Sequence, residues 1–492
     1  MGISPRPPAP RFACRPAPPD SFLIPNVHLF DPSHGLDVEG DLLVLEGRIS
    51  ALGPGVKLPG EGGTRIEVLE DLAGCWVFPG FVDPHVHLRT PGYEYKEDLA
   101  SGSLAAAAGG YVAVAAMANT APVVDCGPVA SWVLDQAEKD AVVRVGQVGA
   151  VSKGLRGEEL AELRELAEAG VVAFSDDGMP IGDADLLLHA LRYLRGTGLP
   201  VLLHLENKSL SVDGVMHEGK WSARLGLRGI PSVCESGAMA RDLELVRYLY
   251  AEEERLSAAQ RFSAASQVAV GGRGGEQDGI SRTTCRSIPM VHFQHLSAAE
   301  SVRLLSEAKE EGLPVTAEAT PVHLLLTDEE LTSFDPNLKV NPPIRSEEDR
   351  EALVSAVAEG TIDCVATDHA PHAPQEKEVP LEEALSGTTG LETAFAALYT
   401  GLVLSGKLSL ARLVEAMSAA PSRILGLPAP RLEVGATADF CVVDLDCKWE
   451  VTPAALRGKS RNCAFLGREL TGRVYLTVVD GARRFRLSQE GC

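Results

Sequence analysis

Short apolar runs alternate with amphipathic stretches along most of this chain, and that alternation predicts its architecture. The clearest unit runs from Glu158 to Gly170, with Leu160, Leu163 and Leu166 on one helical face. Gly170 supplies a helix stop, and Val171-Val172-Ala173-Phe174 then reads as a buried strand. Further strands are predicted at Leu199–Leu205, Pro289–Leu296, Leu313–Ala319 and Ile362–Thr367. Repeated units of this kind over residues 79–427 predict an α/β fold, a (β/α)₈ TIM-like barrel in preference to an open sheet.

The flanks have a different texture. Leu42-Leu43-Val44-Leu45, a Glu46-Gly47 turn and Arg48-Ile49-Ser50-Ala51-Leu52 predict a hairpin. Near the other end, Ala438–Asp444 and Val474–Val479 read as strands. Little in either region suggests helix, so residues 21–78 and 428–492 are expected to form two halves of one small β-sandwich. Residues 1–20 are Pro-rich and read as a disordered extension. Residues 257–286 are expected to be a Gly-rich surface insertion. Its Val270-Gly271-Gly272-Arg273-Gly274-Gly275 is not a phosphate loop, because no G-K-[ST] follows and no strand leads in.

Composition narrows the partners. With 45% hydrophobic and 23% charged residues the chain can bury a sizeable core. Its formal charge of −23, from 45 basic and 68 acidic residues, disfavours nucleic acid and anionic membranes. A small anionic substrate would need a locally positive pocket. The ten cysteines are scattered without a C-x-x-C pair, so neither a zinc ribbon nor a redox motif is indicated. They read as reduced thiols of a cytoplasmic protein. The first twenty residues lack the apolar run of a secretory signal, and no run of about 18 apolar residues predicts a membrane span.

Metal-ligand residue types gather at the predicted strand ends. His85-Val86-His87 places two imidazoles at i and i+2, which share one face of a strand. Alone, this pair reads equally well as polar positions on a solvent-facing strand. Ser175-Asp176-Asp177-Gly178, His204-Leu205-Glu206, His292-Phe293-Gln294-His295 and Asp368-His369-Ala370-Pro371-His372 end other strands. Individually they could be turns or caps; together they put imidazoles and carboxylates at one end of a barrel, where barrel active sites lie. Adjacent side chains point opposite ways, so strand geometry leaves open which of Asp176 and Asp177 faces inward.

These segments resemble the class I dihydroorotases of the amidohydrolase superfamily. The resemblance also rests on Arg89, Pro91-Gly92, Lys96-Glu97-Asp98, Met117-Ala118-Asn119-Thr120 and Met216-His217-Glu218-Gly219. It continues through Ala317-Glu318-Ala319-Thr320-Pro321, Asn341-Pro342-Pro343-Ile344-Arg345 and Gly435-Ala436-Thr437-Ala438-Asp439. It implies a zinc-dependent dihydroorotase, which interconverts N-carbamoyl-L-aspartate and dihydroorotate in pyrimidine biosynthesis. One or two Zn²⁺ ions are implied: His85, His87 and Asp368 on the first, His204 and His295 on the second, Asp177 joining both. His292 matches a non-ligand position and reads as a packed histidine. Zinc lowers the pKa of water it holds from about 15.7 to near 7, which supplies a nucleophile for an unactivated amide. Asp368 is implied as the catalytic acid–base, and His87, Arg89, Asn119, Asn341, His372 and Gly387 as substrate contacts.

Ser386-Gly387 departs from the Phe-Gly pair usual in the family. Dihydropyrimidinases, hydantoinases and allantoinases are alternatives, but they generally join their metals with a carboxylated lysine. Here Ser175, Asp176 and Asp177 stand in that strand, and Lys153 belongs to the preceding unit. A non-catalytic scaffold for aspartate carbamoyltransferase is the other alternative; it predicts missing ligands, and all six candidates are present. Partnership with aspartate carbamoyltransferase alongside catalysis, and a homo-oligomer, are further expectations.

Overall fold

The computed structural model describes residues 9–58, 66–270 and 290–487, with backbone only for 256–270. Eight parallel strands make the barrel: β1 (Phe81–Val86), β2 (Tyr111–Ala116), β3 (Arg144–Gly149), β4 (Ala173–Phe174), β5 (Val201–Leu203), β6 (Val291–Phe293), β7 (Val315–Ala319) and β8 (Cys364–Val365). Their hydrogen-bonded order follows the chain from β1 to β8. A Val86–His369 bridge joins the two ends. The Asp83 carboxylate reinforces that seam, accepting from Thr367 Oγ1 (2.6 Å) and Thr367 N (3.2 Å). Every residue of β2, Tyr-Val-Ala-Val-Ala-Ala, is buried, as expected for a strand covered on both faces. The predicted helix after Glu158 begins late, at Leu163, because Leu160 bridges to Ser152. Gly170 ends it in the left-handed region (φ 94°), where glycine carries no Cβ penalty.

The expected β domain built from both chain ends is present as one mixed sheet. Its order is Ala482–Arg486, Glu469–Val479, Phe440–Glu450, Trp76–Pro79, Phe22–Asp31, Leu36–Leu45 and Arg48–Gly53, with Glu67–Val68 beside Phe22–Asp31. The junction of the halves pairs Phe440 with Pro79 and Val443 with Trp76. Glu46 and Gly47 both have positive φ, as a two-residue primed hairpin turn requires. The sheet folds around its own core, bringing Phe22, Leu42, Ile49, Phe440 and Leu476 into one cluster.

Three expectations differ from the structure. Residues 9–20 are not a free extension: Phe12–Ala13 pairs antiparallel with β3, and Arg11 bonds Asp135 and Glu138. The fit depends on Gly146, where a Cβ would stand 2.7 Å from the Phe12 ring. Within the expected insertion, residues 257–270 continue the helix Val233–Val270, while residues 271–286 lie outside the described residues. Seven described cysteines are free thiols, but Cys447 is disulfide-bonded, so the expectation of reduced thiols fails there. Among the described residues no helix is long and apolar enough to cross a membrane.

Candidate metal centre

The carboxyl ends of the barrel strands bring six residues distant in sequence to one point. Asp177 lies at its middle. Its Oδ1 is 3.4 Å from His85 Nε2, 3.4 Å from His204 Nδ1 and 3.7 Å from His295 Nε2, while Oδ2 is 3.5 Å from His87 Nε2. Asp368 Oδ1 stands 3.0 Å from His87 Nε2 and 3.5 Å from His85 Nε2. Two overlapping groups result, His85–His87–Asp368 and His85–Asp177–His295, each compact enough for one ion. Asp176 turns the other way, accepting from Val151 N, Ser152 N and the Ser152 hydroxyl.

The tautomers implied by the hydrogen bonds suit a metal. His85 Nδ1 donates to Glu318 Oε1 (2.7 Å), His87 Nδ1 to Asn119 Oδ1 (3.0 Å) and His204 Nε2 to Glu206 Oε2 (3.0 Å). Each imidazole therefore presents the lone pair of its other nitrogen to the centre. Two of those nitrogens, His85 Nε2 and His204 Nδ1, are fully buried without a hydrogen-bond partner. Buried polar atoms are normally satisfied. Lone pairs converging beside two carboxylates, with outer carboxylates fixing the rings, are what a divalent cation requires. The residues present fit zinc.

The carboxylates around these rings demand positive charge, which a proton or a metal ion on the same nitrogen would supply. Burial opposes charge on His85, but Asp177, Asp368 and Glu318 raise its pKa well above the usual imidazole value. Burial likewise opposes ionisation of Asp177, Glu206 and Glu318, and the facing imidazoles hold all three well below the carboxylate range. Such a density of like and opposite charge marks a functional site. The backbone is strained here too: Arg89 (φ 62°), His295 (φ 34°) and Asp368 (φ 46°) occupy the left-handed region.

A cavity of about 250 Å³ opens beside the centre. Its walls include every sequence-predicted site residue except His85, which lies beneath the floor. Arg89 donates Nε to Pro371 O (3.2 Å) and has no carboxylate within 4 Å among the described residues. It is a cation of the pocket without a salt bridge among the described residues, within the field of the Asp368, Asp177 and Glu376 carboxylates. Asn341 donates to Glu206 Oε2 (3.0 Å), so it steadies the partner of His204 as well as lining the wall. His372 has both ring nitrogens engaged, Nε2 with Ser386 O (2.9 Å) and Nδ1 beside Glu376 Oε2 (3.2 Å). Burial, then Arg89 and Lys96, push its pKa down to about 3. At Gly387 (φ 140°) a Cβ would meet Ala370 Cβ at 2.8 Å and His372 Cδ2 at 3.0 Å, so the position demands glycine. Lys153 is not among the walls of this cavity and pairs with Glu159 at the surface.

Sequence reasoning assigned no role to three carboxylates that organise the centre. Glu318 accepts from His85 and from His295 N (3.2 Å) and faces His292 Nε2 (3.0 Å), tying β1 to the segment after β6. Asp83 also accepts from His85 N (3.0 Å), and burial pushes its carboxyl up to about 7. Glu206 holds His204. For Asp83 and Glu318 the signal was present: a carboxylate inside a buried strand is retained only with a partner.

A family model described as dihydro-orotase-like matches residues 74–248. The dihydroorotase of Citrifermentans bemidjiense is 42% identical over 461 residues, covering 94% of this chain and 98% of its own. That of Anaeromyxobacter dehalogenans (strain 2CP-1) is 43% identical over 464 residues, covering 94% and 97%. Among solved structures, an L-hydantoinase (dihydropyrimidinase) from Arthrobacter aurescens matches with a TM-score of 0.76 at 24% identity over 96% of both chains. A D-hydantoinase (dihydropyrimidinase) from Thermus sp. gives 0.73 at 22%, over 96% and 97%. These last two share the barrel and accessory sheet. The identity and coverage of the sequence relatives decide the matter: this chain belongs to the dihydroorotase family.

Proposed function

We propose that this protein is a zinc-dependent dihydroorotase of the class I type, catalysing reversible ring closure of N-carbamoyl-L-aspartate to dihydroorotate in pyrimidine biosynthesis. The observation that carries the reading is Asp177 among four inward-facing imidazoles, beside an arginine without a salt bridge among the described residues. His85, His87 and Asp368 would hold one zinc, His204 and His295 a second, with Asp177 between them. Zinc bound there supplies Lewis acidity to the amide carbonyl and lowers the pKa of water. Asp368, whose carboxylate borders the cavity, takes the proton of the attacking water and returns it to the departing ring nitrogen. Arg89 meets the substrate carboxylate bidentately, with Asn119 and Gly387 on the neighbouring walls. A partnership with aspartate carbamoyltransferase and assembly into a homo-oligomer belong to the same reading.

The test is a metal-dependent assay of dihydroorotate beside dihydrouracil and allantoin. Dihydroorotate is expected to be turned over in strong preference. Faster turnover of either neutral-ring competitor would sink the substrate assignment. The arginine gives a second check. A charge-assisted contact is worth about 1.5–3 kcal/mol, so Arg89→Met should raise KM for dihydroorotate by roughly 10- to 150-fold. An unchanged KM would remove Arg89 from the substrate site.

A further inference from the structure

Two lysines lie buried behind the substrate cavity without any carboxylate within 4 Å among the described residues. Lys339 and Lys377 are only 8% and 5% exposed. Lys339 Nζ donates to Leu381 O (2.9 Å) and Glu382 O (2.8 Å). Lys377 Nζ donates to Leu385 O (2.8 Å) and reaches Lys339 O at 3.5 Å. All but the last acceptor belong to one short irregular segment, which continues directly into Ser386 and Gly387. The pinning extends along it: Ser386 O accepts from His372 Nε2, Gly387 N donates to Lys339 O (2.9 Å), and Gly387 O accepts from Asn462 Nδ2 (3.1 Å).

We propose that Lys339 and Lys377 are positioning residues, two buried ammonium groups that hold segment 381–387 as the wall of the substrate cavity and so set substrate affinity. A buried ammonium is costly unless its donors are used, and a segment of this kind has no ladder partners of its own for its carbonyls. Each need is met by the other. The arrangement bears on binding and not on the metal, because neither lysine touches a residue of the metal cluster. This inference rests on the dihydroorotase reading for its substrate.

The ammonium of Lys377 is poised to lose its proton. Burial, then the charge of Lys339, push its pKa down to about 7 against the opposing pull of Asp335 and Glu376. Glu378, Arg461 and His372 line the adjoining cavity of about 620 Å³. Raising pH through this range removes the charge and weakens the hold on Leu385 O, so affinity should fall.

The experiment compares zinc-loaded wild type with Lys377→Met. The variant should show KM for dihydroorotate raised about tenfold, kcat within about twofold and zinc content unchanged. That KM ratio should shrink between pH 6 and 9 as the wild-type lysine deprotonates. Amide exchange across residues 381–390 should accelerate in the variant while β2 stays protected. Unchanged KM and unchanged exchange in a folded variant would overturn the proposal, as would kcat and zinc falling together at constant KM. Should Lys377→Met fail to fold, Lys377→Arg carries the test: its permanent charge should abolish the rise of KM above pH 7, and a rise like the wild type's would sink the idea. Absence of any dihydroorotate turnover by wild type would instead sink the substrate reading, leaving amide exchange to decide the lysines.

Discussion

An Asp177→Asn variant is expected to lose more than about 100-fold in dihydroorotate hydrolysis and to lose bound zinc with it. Removing even an outer partner of a metal ligand typically costs 10- to 100-fold, and Asp177 is more central than that. Its two oxygens stand 3.4–3.7 Å from four imidazole nitrogens. The amide preserves volume but turns one acceptor into an NH₂ donor and removes the negative charge. Lone pairs that should share a cation would then face a donor, and the two groups of ligands lose their common member. Activity measured with zinc content by atomic absorption is the check. Full activity with full zinc would remove Asp177 from the centre.

Asp368→Asn should behave differently. Asp368 contacts His85 and His87 alone among the proposed ligands, so zinc loss should be smaller than for Asp177→Asn. The expected damage is to proton transfer, which is worth roughly 10²–10⁴ in rate. kcat should fall by that amount while KM changes little. A drop confined to KM would contradict the acid–base role. Comparing the two variants separates a residue needed to gather the ions from one needed to use them.

The sequence was informative where chemistry and strand ends coincide. His85-Val86-His87 could be placed on one face by strand alternation, whereas only the family resemblance favours Asp177 over Asp176. The barrel was legible from apolar runs such as Val171–Phe174, whose burial leaves no polar alternative. Less was legible where tertiary contact overrides local pattern. Phe12–Ala13 is too short to show any period, and its pairing depends on the missing Cβ of Gly146. The left-handed backbone of Arg89, His295 and Asp368 contradicts residue preference and is imposed by the surroundings. Glu318 and Asp83 stood in plain view as buried carboxyl groups, but the partners that tie them across the barrel, His85 and Thr367, are more than 200 residues away.

The mixed sheet has a consequence for biosynthesis. Trp76–Pro79 has Phe22–Asp31 on one side, but its other neighbour is Phe440–Glu450, so the ribosome must release nearly the whole polypeptide before that seam can zip. Until then Val77 and Phe78 are left with an open edge, an invitation to unwanted association between nascent chains. A stop codon near the distal end would thus strand the earliest-made strands, and the injury would surface as aggregation far from where the message was cut.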